Sequence, residues 1–174
     1  GSINFGGGTL NLNPGSSFSG FVNRDAATTL NIGSDYSVVG NFIYNPSATG
    51  VVNILSGANF QVSSEFKTST NFNIAAGASV TASIVAFADF PDGIINVSGT
   101  LNLSGANDAG LYAPSATKYV NIATSSGKVV IDGTTEMDVT NQITNGGYRF
   151  QEVINDGNLT YTDLGSDVFE ITAI

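Results

Sequence analysis

A three-residue phrase, an apolar residue, Asn and a second apolar residue, returns along this chain at nearly even intervals. It reads Leu10-Asn11-Leu12, Leu30-Asn31-Ile32, Val52-Asn53-Ile54, Phe72-Asn73-Ile74, Ile95-Asn96-Val97 and Val120-Asn121-Ile122. The Asn positions step by 20, 22, 20, 23 and 25 residues. After each phrase a Gly follows within a few residues, at Gly15, Gly33, Gly57, Gly77, Gly99 and Gly127. A second alternating run then begins, as in Ala58-Asn59-Phe60-Gln61-Val62 or Lys128-Val129-Val130-Ile131, and often a third, such as Asn41-Phe42-Ile43-Tyr44. The period-2 alternation is that of strands, and no stretch shows the 3.6-residue period of a helix.

A strand-only unit of this size cannot bury its own inward side chains, whereas stacked units share one core. The repeat therefore predicts an all-β parallel β-helix, or β-solenoid, of about six coils over residues 1–140. Successive strands would lie about 4.8 Å apart, giving a rod segment on the order of 30 Å long. The uneven step suits right-handed coils with turns of different length better than strict six-residue rungs.

Composition agrees. Asn, Ser, Thr and Gly supply 76 of 174 residues, while charged residues are only 11% and apolar ones 41%. Asn, Gly and Ser serve bends and Thr serves strands. The net charge is −9, and the five bases Arg24, Lys67, Lys118, Lys128 and Arg149 are scattered. With no basic stripe to neutralise phosphates, nucleic-acid binding is not expected. Membrane insertion is not expected either, since the apolar run Ser83–Phe90 is far too short to span. Low charge and abundant Asn, Thr and Ser point to an extracellular or cell-surface address.

The words Thr-Leu-Asn-Leu (residues 9–12), Thr-Leu-Asn-Ile (29–32) and Gly-Thr-Leu-Asn-Leu-Ser-Gly (99–105) resemble the repeats of bacterial secreted β-helix proteins, autotransporter passengers and large adhesins among them. The resemblance covers residues 1 to about 140. It implies the solenoid fold and a surface role, but no particular activity.

From Asn141 the phrase stops, and residues 141–174 read as a C-terminal β segment of the same domain. Asn155-Asp156-Gly157-Asn158 between Tyr148–Ile154 and Leu159–Leu164 is a hairpin signal. A last strand is expected from Val168 to Ile174. This segment either caps the coil stack or offers a strand for assembly. At the other end, strand-like Ile3-Asn4-Phe5 begins without a cap. Ile3, Phe5, Val168, Phe169, Ile171 and Ile174 are thus the candidate assembly-end residues, for head-to-tail self-association into a filament.

Catalysis is poorly equipped. Histidine and cysteine are absent, which removes the commonest general base, thiolate nucleophiles and the commonest metal ligands. Asp25, Asp35, Asp89, Asp92, Asp108, Asp132 and Asp156 fall where turns are expected, so no enzyme and no cofactor is predicted. Asp89-Phe90-Pro91-Asp92-Gly93 and Asp163-Leu164-Gly165-Ser166-Asp167 each place two carboxylates on a short loop, but neither matches a calcium-loop pattern.

In an extended apolar-Asn-apolar segment the flanking residues point inward and Asn points out. Stacking would align Asn11, Asn31, Asn53, Asn73, Asn96 and Asn121 in one column, with Thr9, Thr29, Val51, Asn71, Ile94 and Tyr119 beside it. The column is either an amide ladder that ties coils together or a flat polar face for a glycan or ice. The expected function is an extracellular structural or adhesive solenoid, with carbohydrate binding or processing as the alternative.

Overall fold

In a computed structural model, residues 8–12, 21–23, 28–44, 50–68, 71–86, 94–104, 110–112, 120–132 and 159–174 are described. They form strands and turns, and no helix occurs among them. The eighteen described strands fall into three sheets. The first holds β1 (Gly8–Leu12), β3 (Thr28–Ile32), β6 (Val51–Ile54), β9 (Asn71–Ile74), β12 (Ile95–Val97) and β15 (Val120–Ile122), side by side in that order. The second holds β4 (Tyr36–Val38), β7 (Asn59–Val62), β10 (Ser79–Ala82), β13 (Thr100–Ser104) and β16 (Lys128–Asp132), followed by β18 (Val168–Ala173) and β17 (Leu159–Gly165). The third runs β2 (Phe21–Asn23), β5 (Phe42–Tyr44), β8 (Glu65–Thr68), β11 (Ile84–Ala86) and β14 (Gly110–Tyr112).

From β3 to β14 the chain visits the sheets in turn, first, second, third, and then begins the next coil. Every pairing between coils is parallel. The described strands form a parallel β-solenoid of six coils.

One contiguous core runs through it. Alternation puts Leu30 and Ile32, Val52 and Ile54, Phe72 and Ile74, Ile95 and Val97, and Val120 and Ile122 inward from the first sheet, all buried. The second sheet contributes Phe60, Val80, Leu101 and Val129. In coils two to four the centre is aromatic. Phe42 and Phe66 of the third sheet stack at 5.3 Å, Phe66 meets Phe72 of the first sheet edge-on at 4.7 Å, and Phe60 of the second meets Phe42 edge-on at 5.1 Å. Rings from all three sheets thus meet on one axis, with the offset and T-shaped geometries that aromatic quadrupoles favour. In coils five and six the described core is aliphatic.

The corner between the first and second sheets varies in length from coil to coil. Leu55–Ala58 and Ala75–Ala78 are four-residue turns, closed by Ala58 N–H to the Leu55 carbonyl (3.0 Å) and Ala78 N–H to the Ala75 carbonyl (2.9 Å). Their third residues, Gly57 and Gly77, have φ of +85° and +78°, as a type II turn demands. In coil five only Ser98-Gly99 makes the corner, whereas coil six uses Ala123–Gly127 with Ser125 at φ +67°. Insertions are absorbed there while strand register is kept: Ser79 lies opposite Thr100, and Thr100 opposite Lys128.

The C-terminal segment departs from this plan. β18 runs antiparallel on β16, and β17 antiparallel on β18, so a hairpin takes the place of a further parallel strand in the second sheet. Its two-residue turn is Ser166-Asp167, with φ of +56° and +60°, the positive pair that a type I′ turn needs. A bulge between Asp163 and Gly165 adjusts the register. The sequence signal at Asn155–Asn158 pointed to a hairpin one strand earlier; that turn and Tyr148–Ile154 lie outside the described residues. What is described is Leu159–Gly165 pairing with the following strand.

Candidate binding faces of the solenoid

The first sheet presents the Asn column. Pairing is residue to residue: Asn11 opposite Asn31, then Asn53, Asn73, Asn96 and Asn121. The amides are joined in one direction. Each Nδ2 donates to the Oδ1 of the preceding coil, Asn31 to Asn11, Asn53 to Asn31, Asn73 to Asn53 and Asn96 to Asn73 at 2.9 Å each, and Asn121 to Asn96 at 3.3 Å. Parallel in-register stacking makes this possible, because identical side chains recur at the strand spacing. The four inner Asn are half-buried, and Asn11 and Asn121 are exposed. The neighbouring column is mixed: Thr9, Thr29, Val51, Asn71 and Ile94 are described, and Tyr119 lies outside the described residues.

The second sheet carries a shorter ladder of other chemistry. Asp35 Oδ1 accepts from the Asn59 backbone N–H (3.1 Å) and from Asn59 Nδ2 (2.9 Å), and Ser79 Oγ donates to Asn59 Oδ1 at 2.6 Å. Asn102, from the additional Leu-Asn-Leu word, donates to Thr81 Oγ1 at 3.3 Å. Sequence reasoning had no signal for this mixed ladder, because Asp, Asn and Ser do not repeat as a word.

On the same outer face lies an open groove of about 440 Å³. Ser37, Gln61 and Thr81 stand in register along it, with Val39, Ser63 and Ser104 also in its lining. Ser63 Oγ is engaged by the Gly40 N–H (2.6 Å) and Thr81 by Asn102. Ser37, Gln61 and Ser104 make no side-chain hydrogen bond among the described residues, and Val39 is 68% exposed. No charged side chain is among the described residues that line the groove.

Asp35, Asp163 and Glu170 have local work. Glu170 pairs with Lys128 at 2.8 Å, tying β18 to β16. Asp163 Oδ1 accepts from the Gly165 N–H at 2.7 Å, which fixes the bulge of the hairpin that contains the Asp163–Asp167 loop. No group of three metal-ligating side chains occurs among the described residues, and the Asp89–Gly93 loop lies outside them. Burial pushes the Tyr36 hydroxyl up to about 12.

The assembly-end residues fall into different settings. Ile3 and Phe5 lie outside the described residues. Phe169 and Ile171 are buried, Phe169 against Tyr161 (ring centroids 5.8 Å apart) and Ile171 in the common core. Val168 is half-buried, and Ile174 is 77% exposed. Of these four, Ile174 is the one that presents a freely accessible apolar side chain. Compared with known proteins, the chain matches no family model, no curated protein and no solved structure.

Proposed function

We propose that this chain is a structural and adhesive β-solenoid that works outside the cell, a stiff module whose outer faces meet other surfaces. The observation that carries this reading is the single core shared by six in-register coils, faced by columns of uncharged polar side chains. Such a stack gives a repetitive surface on a rigid support, and its polar groups are spread along faces rather than gathered into one reactive cleft. Engagement of Asp35, Asp163 and Glu170 in local hydrogen bonds and an ion pair favours it over a carbohydrate-processing enzyme.

Beads coated with the purified chain test the reading on surfaces of cell-wall polysaccharide, mucin glycoprotein and bare polymer. Retention under flow on a biological surface above that of uncoated beads is expected. Equal retention of coated and uncoated beads on all of them would overturn the adhesive role.

Filament formation is a second reading, favoured by Leu164 and Ile174, 56% and 77% exposed on the terminal hairpin. It predicts fibres in electron micrographs that Leu164→Asp with Ile174→Asp abolishes; monomers alone at high concentration would dispose of it.

A further inference from the structure

We infer that the groove on the second sheet is a binding site for an uncharged oligosaccharide, the surface through which the proposed adhesion acts. The first sheet is the worse candidate, although its Asn row is the more regular feature. Each inner Asn already donates to one neighbour and accepts from the next, so the ladder holds coils together and has less left for a ligand. The groove differs in three respects.

It is concave, and its volume of about 440 Å³ lies in the range of small-molecule sites. Its rim holds uncommitted polar groups, the Ser37 and Ser104 hydroxyls and the Gln61 amide, beside an exposed apolar side chain, Val39. Finally, the described lining is free of charge in a molecule of net charge −9.

These features select the ligand class. Hydroxyls and a primary amide each donate and accept, as sugar hydroxyls do, so the two sets can pair in either sense. Val39 offers apolar area to the C–H face of a sugar ring. An acidic sugar or a phosphate would find no cation in the described lining and would approach against the net charge. A cationic ligand would find no carboxylate among the described lining residues; Asp132, opposite Ser104 on the next strand, is not one of them. In-register strands place Ser37, Gln61 and Thr81 at the strand repeat, about 4.8 Å, so successive hydroxyls of an extended ligand meet successive side chains.

This inference rests on the adhesive reading, and the two fail separately. The whole chain is titrated by calorimetry with maltohexaose, cellohexaose and xylohexaose, and with an oligogalacturonate as the charged counterpart. At least one neutral hexaose is expected to bind with Kd of about 1 mM or tighter. Gln61→Ala should weaken it about tenfold and Ser37→Trp should abolish it, with circular dichroism unchanged. Asn73→Ala, on the first sheet, should leave it within twofold. Binding of the oligogalacturonate alone, binding of none, indifference to Gln61→Ala and Ser37→Trp, or self-association that Ser37→Trp abolishes would each overturn the assignment. Beads that still adhere when no hexaose binds would sink the groove and leave the adhesive role standing.

Discussion

The five parallel pairings of the first sheet and the terminal hairpin of the second are both β-structure, but they are held differently. In the coils, each inner strand of the first sheet lies between two others in parallel register, and its inward residues belong to a core that continues in both directions. The hairpin joins the stack through one antiparallel pairing, β18 on β16. Within it, β17 pairs with β18, and Phe169 is covered by the hairpin's own Tyr161. A long stack therefore distributes its stability, while an end element depends on a single neighbour.

Truncating one buried phenylalanine in each region tests this most severely. Phe72 sits among Phe60 and Phe66 in the middle of the stack, fully buried. Phe72→Ala should cost about 3–5 kcal/mol and lower the protection of amides in all three sheets together. Phe169→Ala also removes a buried ring, but hydrogen exchange should rise in 159–174 while the central coils stay protected. Uniform loss in both variants would show that the hairpin and coils unfold as one unit.

A second test adds an atom at a corner. A Cβ on Gly127 would run into the Val97 carbonyl oxygen of the coil below, and backbone cannot swing aside as a side chain can. Gly127→Ala should destabilise by about 1–3 kcal/mol, measured by denaturant unfolding. Wild-type stability would mean that coil six can lift away from coil five at little cost, which would make that coil resemble the hairpin rather than the stack.

Asn73→Ala probes the ladder at its centre. The change removes both the hydrogen bond that Asn73 donates and the one it accepts from Asn96, on a half-buried face. A loss of about 1–2 kcal/mol is expected. Asn11→Ala, which breaks one bond at the exposed end, should cost about half as much. Equal, negligible losses would show that water replaces the ladder.

The repeat words made the first sheet legible because a hydrogen-bonded amide column requires the same residue in every coil, and Asn obeys. The second sheet's face was not legible: Ser37, Gln61 and Thr81 share a column only through strand register. Inward positions accept any apolar side chain of suitable volume, so Phe60, Val80, Leu101 and Val129 align without spelling a word. The hairpin turn was legible only as a short loop before the last strand, for a related reason. Ser166-Asp167 adopts positive φ without the Asn-Gly or Asp-Gly signature, and the hairpin expected at Asp156-Gly157 lies outside the described residues.

The Lys128–Glu170 pair is a smaller test, confined to the junction. Both side chains are partly exposed, at 43% and 25%, so solvent and salt screen the pair. Lys128→Met should cost about 0.2–1 kcal/mol, fall towards zero in high salt, and raise exchange in β18 with little change in β10. An effect as large in β10 as in β18 would tie the hairpin more tightly to the stack than one pairing allows.

The least effect at neutral pH concerns Tyr36, inward-facing on β4 at the end of the second sheet opposite the hairpin. Its hydroxyl titrates at about 12 in the folded chain, because burial disfavours the phenolate, against about 10 for an unfolded tyrosine. Below pH 10 the group is neutral in both states and stability does not depend on it. Between 10 and 12 the unfolded chain has given up a proton that the folded chain keeps, so unfolding gains and stability falls as pH rises. Tyr36→Phe removes that dependence, so the wild-type chain should lose stability relative to the variant across this window, read by urea unfolding at pH 9, 10, 11 and 12. If the two chains keep a constant difference throughout, Tyr36 ionises as freely in the fold as out of it, and β4 is then a loose edge strand, held no better than the hairpin at the far side of its sheet.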